Sequence, residues 1–185
     1  MAYQGFADGI EADAFAVRRF AAACPVVFVS TSFSKSLSLY GERVGALSIV
    51  TQSKEEAART LSQVKRVVRT NYSNPPTHGA QAVASVLTTP ELRALWEQEL
   101  GQMRDRIKLM RSQLVEQIRD RRSDFDFNFV VKQRGMFSYS GLSKAQVDKL
   151  RAKSIYAIDS GRICIAALNS KNIAAVAGAI AEVLV

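Results

Sequence analysis

The sequence predicts an α/β protein whose last third forms a small α+β unit. Two continuous apolar runs, residues 26–30 and 45–50, have the composition of strands that are covered on both faces. Helical segments, with apolar residues three and four positions apart, follow these strands. A longer stripe, from Leu92 to Ile118, predicts a helix of roughly thirty residues, and a helix of that length commonly runs from one domain into another.

The first half of the chain is predicted to contain two strands with helices before and after them. A short helix is predicted over residues 14–22, and Pro25 opens the first strand. A serine-rich loop, residues 31–36, separates this strand from the second. Ser53 and Glu56 then form a capping box at the start of a helix, which ends before the prolines of residues 71–76. Another short helix is predicted over residues 79–87.

The second half begins with the long helix, for which Thr89 and Pro90 provide a helix start. A strand pair is predicted at 125–131, where three phenylalanines alternate with polar residues, and at 136–139. Ser143 with Gln146 caps a helix, and Ser170 caps the last one. Two more short strands are predicted at 155–157 and 162–166. The domain boundaries that follow are 1–88, 89–122 for the long helix, and 123–185.

Composition limits the class of protein. The chain has 185 residues, 48% apolar and 23% charged, which is ordinary for a globular protein and excludes a disordered or collagen-like chain. No apolar run approaches the length of a membrane span, and the first residues do not resemble a secretory signal. Two cysteines are too few for a disulfide scaffold, so we expect a cytoplasmic protein. Cys24 and Cys164 lie beside or in predicted strands, where we expect buried, inert thiols. We expect no metal site.

The net charge of +8 raises the question of a nucleic-acid partner. Much of the basic excess lies between Arg104 and Arg122, inside the long helical pattern. A solvated helix face is the more common explanation of such a run. We therefore predict no nucleic-acid partner and no membrane partner.

A candidate site follows the first strand. Lys35 lies in the serine-rich loop, and Arg43 precedes the second strand. Hydroxyl groups with an arginine suit a phosphate, and a lysine beside them suits a Schiff base with an aldehyde cofactor. Taken alone, a lysine in such a loop is commonly a surface residue. Taken alone, Arg162 is likewise explained as a surface arginine of a strand. His78, the single histidine, follows a proline turn and is predicted to have a structural role and not a catalytic one.

The strands pose a problem of coverage. A sheet of two strongly apolar strands is only marginally stable, because it lacks neighbours that cover its faces. Either another subunit supplies these neighbours, or the residues are part of a longer protein.

Seven segments carry a resemblance to a known family. The sequence resembles the aspartate and aromatic amino acid aminotransferases, which are class I pyridoxal-phosphate (PLP) enzymes of fold type I, and within them the bacterial aromatic (tyrosine) aminotransferases most. The segments occur in the family's order: MAYQGF at 1–6, SFSK at 32–35, LYGERVG at 39–45, RTNYSNPPTHG at 69–79, WEQEL at 96–100, GMFS at 135–138 and SGR at 160–162.

The resemblance implies the fold and the reaction. The chain would be the C-terminal part of a PLP-dependent transferase fold, with a partial large-domain sheet, a long interdomain helix and a small α+β C-terminal domain. The reaction would transfer an amino group between an aromatic or dicarboxylic amino acid and 2-oxoglutarate, in a homodimer. Whether aromatic or dicarboxylic substrates are preferred stays open.

The resemblance also implies roles for individual residues. Lys35 matches the lysine that binds the cofactor covalently and moves the substrate proton. Ser32 and Arg43 match ligands of the cofactor phosphate, and Tyr3 matches the phenol that hydrogen-bonds the ring oxygen. Tyr40 has a supporting place near the site.

The substrate residues come from three further segments. Arg162 matches the arginine that binds the substrate α-carboxylate, and Phe137 matches a residue that lines the substrate pocket. Arg69 matches the arginine that reaches across the dimer interface to a distal carboxylate. The family's aspartate at the pyridine nitrogen would precede Met1, so cofactor affinity would be weakened. The alternative is therefore a catalytically inactive fragment that folds by self-association without bound cofactor.

Overall fold

The computed structural model describes residues 1–184, which divide into two compact units. Unit 1 comprises Met1–Gly5 and Gly9–Leu100. Unit 2 comprises Phe6–Asp8 and the residues from Gly101 onward. The predicted domain boundaries at 88/89 and 122/123 stay predictions.

Unit 1 has helices before and after one pair of strands, as the sequence predicts. Its elements in chain order are α1 (Ile10–Asp13), α2 (Phe15–Ala23), β1 (Val27–Ser32), β2 (Gly45–Val50), α3 (Lys54–Tyr72), α4 (His78–Thr88) and the first part of α5 (Pro90–Arg121).

Strands β1 and β2 form an antiparallel pair in which Val27 lies opposite Val50 and Ser32 opposite Gly45. Both predicted strands are thus confirmed. Their coverage on both faces is not, because the side chains of Phe28 and Leu47 are 67% and 55% exposed. Continuous apolar strands need two covering layers, and the described residues of unit 1 provide little of either.

The predicted start of α3 is confirmed, with one difference in the capping bonds. The Ser53 hydroxyl accepts a hydrogen bond from the Glu56 backbone N–H at 3.1 Å. The Glu56 carboxylate accepts from the N–H of Gln52, one residue before the expected Ser53. None of the 19 residues of α3 is buried, and α2 has no buried residue either. Tertiary packing therefore contributes little to either helix.

The long helix is confirmed. Helix α5 has 32 residues, and its residues up to Leu100 belong to unit 1 while those from Gly101 belong to unit 2. The predicted apolar stripe supplies its buried side chains, which include Ile107, Leu114 and Ile118. No helix within residues 1–184 combines the length and the apolar composition that crossing a bilayer requires.

Unit 2 is a small α+β unit. After α5 its elements are a 3₁₀ turn (Asn128–Val130), β3 (Phe137–Tyr139), α6 (Lys144–Arg151), β4 (Arg162–Cys164), a second 3₁₀ turn (Ile165–Ala167) and α7 (Ile173–Val183). Strand β3 pairs antiparallel with β4, with Phe137 opposite Cys164 and Tyr139 opposite Arg162.

The predicted strand at 125–131 is wrong, and so is its pairing with β3. The Asp126 carboxylate accepts a hydrogen bond from the Asn128 N–H at 2.8 Å, and the Val130 N–H bonds the Phe127 carbonyl. Such local bonds offer the backbone an alternative to a sheet ladder. Of the three phenylalanines, Phe127 is buried, and the alternation marks a turn that places this ring in the core.

Two further predictions in this unit are wrong. Residues 155–157 form no strand, because the Ile155 N–H bonds the Leu150 carbonyl at the end of α6 and Arg151 binds the Ala157 carbonyl. Helix α7 is preceded by Asn172 as its N-cap residue, not by Ser170. The capping box of Ser143 and Gln146 at the start of α6 is confirmed.

The hydrophobic core lies mainly in unit 2. Its fully buried side chains are contributed by α5, the 3₁₀ turns, α6 and α7: Leu114, Ile118, Val130, Val147, Ile165 and Ala177. Unit 1 buries Val83 and Leu100. The prediction of two buried cysteines is wrong, because Cys24 is exposed and Cys164 is half-buried in the short strand β4.

Candidate active site

The Lys35 amine faces two tyrosine rings. Its Nζ lies 5.3 Å from the centroid of the Tyr3 ring and 4.8 Å from the centroid of the Tyr40 ring. An ammonium is attracted to the negative face of an aromatic ring, so both contacts hold the amine in one place. The structure therefore brings together Tyr3 and Lys35, which are far apart in the sequence, with Tyr40 as a third member.

The turn that carries Lys35 is anchored on both sides of the lysine. Ser34 and Ser36 are buried, whereas Lys35 between them is half-buried. The Ser32 hydroxyl donates to the Ser34 hydroxyl at 3.2 Å and accepts from the Ser34 N–H. On the other side, the Trp96 indole Nε1 donates to the Ser36 carbonyl oxygen at 2.6 Å. The backbone under the lysine is thereby held in place.

Arg43 adds a cation next to this turn, and its backbone is strained. Its φ angle is +52°, in the left-handed region, which costs a residue other than glycine about 1 kcal/mol. The guanidinium Nη1 donates a 3.0 Å hydrogen bond to the Tyr40 carbonyl oxygen, which joins Arg43 to the tyrosine that faces Lys35. Backbone strain of this kind is concentrated at binding sites, where surrounding structure maintains it.

The cluster has the donors of a phosphate site. Within residues 1–184, neither Lys35 nor Arg43 takes part in an ion pair. A phosphate accepts hydrogen bonds from hydroxyl, ammonium and guanidinium groups, and the last can bind it in a bidentate manner. The Ser32 hydroxyl and these two cations fit that requirement. The described residues contain no group of His, Cys, Asp or Glu side chains placed to hold a metal ion.

His78 supports the loop that carries Arg43. Its Nδ1 lies 2.8 Å from a carboxylate oxygen of Glu42, and the hydrogen bond and the charge of Glu42 raise the pKa of His78. The start of α4 also packs closely on this loop, because a Cβ at Gly79 would lie 3.0 Å from the Glu42 Cβ. These contacts agree with the structural role predicted for His78.

Arg69 lies in the last turn of α3, where it is exposed. Its Nη1 donates a 2.6 Å hydrogen bond to the Ser73 hydroxyl. This contact is local, and within residues 1–184 no hydrogen bond or ion pair joins Arg69 to the Lys35 cluster. A cation at this place also favours the helix C-terminus electrostatically.

In unit 2, Arg162 and Phe137 are in contact. The guanidinium carbon of Arg162 lies 4.7 Å from the centroid of the Phe137 ring, in a cation–π arrangement. Because Tyr139 lies opposite Arg162, Phe137 is its diagonal neighbour on the same face of the β3–β4 pair. Arg162 is exposed and forms no ion pair within the described part of the chain. Its planar fork can therefore bind a carboxylate.

Gly161 orients the backbone just before Arg162. Its carbonyl oxygen accepts hydrogen bonds from the Ser140 N–H at 2.9 Å and the Ser140 hydroxyl at 2.6 Å. Its φ is +75°, and a Cβ at this position would lie 2.5 Å from the Leu142 carbonyl oxygen. Only glycine fits both the conformation and the space.

Sequence reasoning missed two residues. The basic run predicts a solvated face for Arg111, yet this residue is 3% exposed and donates to the Ser138 hydroxyl. Its position between Met110 and Leu114, on the apolar stripe of α5, is the signal that could have identified it. The stripe likewise explains the tryptophan at position 96 by packing alone, although its indole anchors the Lys35 turn.

The Lys35 cluster has the donor types that would suit a class of proteins in which a lysine and a phosphate site hold an aldehyde cofactor. Comparison with known proteins agrees with this class and identifies one family within it. The family model described as aminotransferase class I and II matches residues 1–180. The chain belongs to this family, as the sequence predicted.

Similar proteins carry aspartate or aromatic amino acid aminotransferase names. The aspartate aminotransferase of Pseudomonas aeruginosa is 64% identical over 185 residues, which are 100% of this chain and 46% of that protein. The aromatic-amino-acid aminotransferase of Escherichia coli (strain K12) is 50% identical, over 100% of this chain and 47% of that protein.

A solved structure is also similar. The aromatic-amino-acid aminotransferase from Burkholderia pseudomallei, covalently bound to pyridoxal phosphate, matches with a TM-score of 0.96 and 67% identity, over 100% of this chain and 46% of that one. The predicted fold class, a partial PLP-transferase fold, is confirmed. The chain spans about half the length of the relatives that it matches.

Proposed function

We propose that this chain carries the lysine, phosphate-binding and substrate-binding residues of a PLP-dependent aminotransferase. The reaction transfers an amino group from an aromatic or dicarboxylic amino acid to 2-oxoglutarate. The observation that supports this proposal best is the position of the Lys35 amine between the rings of Tyr3 and Tyr40, with Arg43 hydrogen-bonded to Tyr40.

Four residues of unit 1 would hold the cofactor. Lys35 would bind its aldehyde, Ser32 and Arg43 its phosphate, and Tyr3 its ring oxygen. The donor types agree with these roles, because a guanidinium and a hydroxyl suit a phosphate and a phenol can donate to an oxygen anion. When bound, PLP supplies an electron sink for the bond that breaks at the substrate Cα. The Lys35 amine, once free, takes the proton from that Cα as a general base.

The substrate would be bound by three side chains. The Arg162 guanidinium would bind the α-carboxylate by donating hydrogen bonds to it. The Phe137 ring in contact with the guanidinium would limit its orientations. Arg69 would bind a distal carboxylate across a subunit interface. A homo-oligomer is therefore part of the proposal, and a cytoplasmic location stays a prediction from the cysteine count.

The cofactor part is tested with the purified chain. After addition of PLP and reduction with borohydride, peptide mass mapping should find a covalent adduct on Lys35. The matched control is Lys54→Arg, which removes an exposed lysine at the start of α3 and should leave the adduct unchanged. Lys35→Arg should abolish it. Adducts that are spread over surface lysines, and that persist in Lys35→Arg, would show that this chain does not bind PLP specifically.

A second candidate is the inactive fragment that self-associates. It is supported by the exposed apolar side chains of unit 1, among which Phe15 is 71%, Phe20 59% and Phe28 67% exposed. Exposed apolar surface of this extent favours association. Sedimentation over a range of concentrations would detect it, and Phe28→Ser should weaken it. Association without any Lys35 adduct would favour this candidate over the first.

A further inference from the structure

Unit 2 buries an arginine that has no carboxylate partner among residues 1–184. Of the charged side chains in residues 1–184, Arg111 alone is buried, at 3% exposure. Its Nε donates a 3.1 Å hydrogen bond to the Ser138 hydroxyl, and its Nη2 donates to the Gly135 carbonyl oxygen. Burial of a guanidinium among neutral acceptors is unfavourable, and together with the cation of Arg134 it lowers the pKa of Arg111.

Both acceptors of Arg111 belong to the segment that presents Phe137. Gly135 lies just before β3, and Ser138 is the middle residue of this strand, opposite Ile163 of β4. Neighbouring strand residues point to opposite faces, so the Ser138 side chain faces the core while Phe137 faces the other side. A shift of one residue in the register of β3 would exchange these two faces.

The register of this strand pair determines the contact between Phe137 and Arg162. With Tyr139 opposite Arg162, the Phe137 ring reaches the guanidinium at 4.7 Å. The pair has three residues in each strand, so its own ladder resists a shift only weakly. The planar guanidinium of Arg111 binds both the Ser138 side chain and the Gly135 backbone, and these two bonds constrain the register.

We propose that Arg111 is a positioning residue for the substrate-binding side chains. By holding Gly135 and Ser138, it sets the register of β3 so that the Phe137 ring supports the Arg162 guanidinium. The consequence for substrate binding rests on the proposed function, in which Arg162 binds a carboxylate.

A purely stabilising role is the competing explanation, and Arg122 provides a matched control. Arg122 lies just after the same helix, and its Nη1 donates to the carbonyl oxygens of Ala181 and Leu184 at the end of α7. Loss of these bonds should destabilise unit 2 without a direct effect on the β3–β4 pair. Arg122→Met and Arg111→Met thus remove comparable side chains with different expected local effects.

The test is an NMR measurement on the full 185-residue chain. A guanidinium stacked on a ring shifts the side-chain protons of that arginine upfield, so the Arg162 resonances report the Phe137 contact. We expect this upfield shift to be lost in Arg111→Met and retained in Arg122→Met. Arg111→Lys keeps the charge but not the planar fork, and it should lose the shift as well.

If Arg111→Met does not fold, Ser138→Ala tests the same hydrogen bond from its other side. This variant removes one acceptor and no charge, and we expect it to reduce the upfield shift. An Arg162 shift that is unchanged in folded Arg111→Lys and in Ser138→Ala would overturn the proposal.

Succinate separates this proposal from the proposed function. In the unaltered chain, succinate should perturb the Arg162 resonances. Arg111→Met should weaken this binding roughly tenfold, because loss of the register would displace the Phe137 ring that contacts Arg162. No succinate effect in the unaltered chain would contradict the carboxylate role of Arg162. The positioning role of Arg111 would still be decided by the ring-current shift alone.

Discussion

The indole Nε1 of Trp96 donates a 2.6 Å hydrogen bond to the carbonyl oxygen of Ser36, a residue 60 positions earlier in the chain. Ser36 directly follows Lys35, so this bond joins helix α5 to the turn that holds the amine. A backbone carbonyl in a serine-rich turn is thereby ordered by a side chain that an apolar stripe alone would assign to packing.

We expect Trp96→Phe to loosen this turn. The substitution keeps an aromatic ring but removes the donor, which should cost about 1 kcal/mol of unfolding free energy. It should also lower the yield of the reducible PLP adduct on Lys35. The two measurements are urea unfolding and peptide mass mapping after borohydride reduction.

Glu97→Gln is the control for the tryptophan variant. It removes an exposed ion pair with Arg93 in the same part of α5, and such pairs contribute little to stability. We expect an unchanged adduct yield. If Trp96→Phe also left the yield unchanged, the indole bond would have no part in ordering the Lys35 turn.

The two tyrosines that face Lys35 should differ in function. Tyr3→Phe and Tyr40→Phe both keep the ring that attracts the amine, and each removes one hydroxyl. Under the proposed function, the Tyr3 hydroxyl alone contacts the cofactor ring oxygen. The absorbance band of the PLP complex should therefore shift its pH dependence in Tyr3→Phe and not in Tyr40→Phe. Equal behaviour of both variants would contradict the role given to Tyr3.

Gly161→Ala should destabilise unit 2 by roughly 2 kcal/mol or more, because a Cβ would lie 2.5 Å from the Leu142 carbonyl oxygen at a φ of +75°. Gly135→Ala is a matched comparison. Its φ is +81°, but no atom beyond the adjacent residues of the chain lies within 4 Å of the added Cβ, so about 1 kcal/mol is expected. Denaturant unfolding measures both values, and equal losses would show that the close contact at Gly161 has no cost.

The His78 imidazole should titrate above its ordinary pKa of 6.5, because Glu42 stabilises the protonated ring. The stabilisation from this pair is fully present below pH 6.5 and is lost as the pH rises through the raised pKa. The chain has one histidine, so its NMR titration is unambiguous. Glu42→Gln should return the pKa towards 6.5, and an unchanged pKa in this variant would remove Glu42 as the cause.

Elements with a strong local pattern are predicted well from the sequence. The apolar stripe of α5 and the capping box at Ser143 depend on neighbours three and four positions away, and both are confirmed. The prediction for 125–131 fails because its alternating phenylalanines imitate a strand, while the Asp126 carboxylate closes a turn. A period of two residues does not distinguish these cases without knowledge of the hydrogen-bond partners.

Within the candidate site, the sequence indicates the chemistry and not the contacts. The residue types at Ser32, Lys35 and Arg43 are enough to suggest a phosphate and a carbonyl partner. The placement of Tyr3 and Tyr40 on the Lys35 amine requires the chain to fold back on itself. The apolar stripe of α5 indicates the helix face on which Arg111 lies, but its hydrogen bond to Ser138 of β3 depends on a residue 27 positions away.

The sequence by itself determined the family, the strands β1 and β2, the long helix α5, and the lysine on which the proposed chemistry depends. Such features reside in local patterns and in motifs that can be recognised one segment at a time. Only the tertiary structure decided that β3 pairs with β4, that Arg162 lies over Phe137, and that the amine of Lys35 lies between the rings of Tyr3 and Tyr40. These depend on contacts between residues distant in sequence, whose free energy arises only when the chain packs.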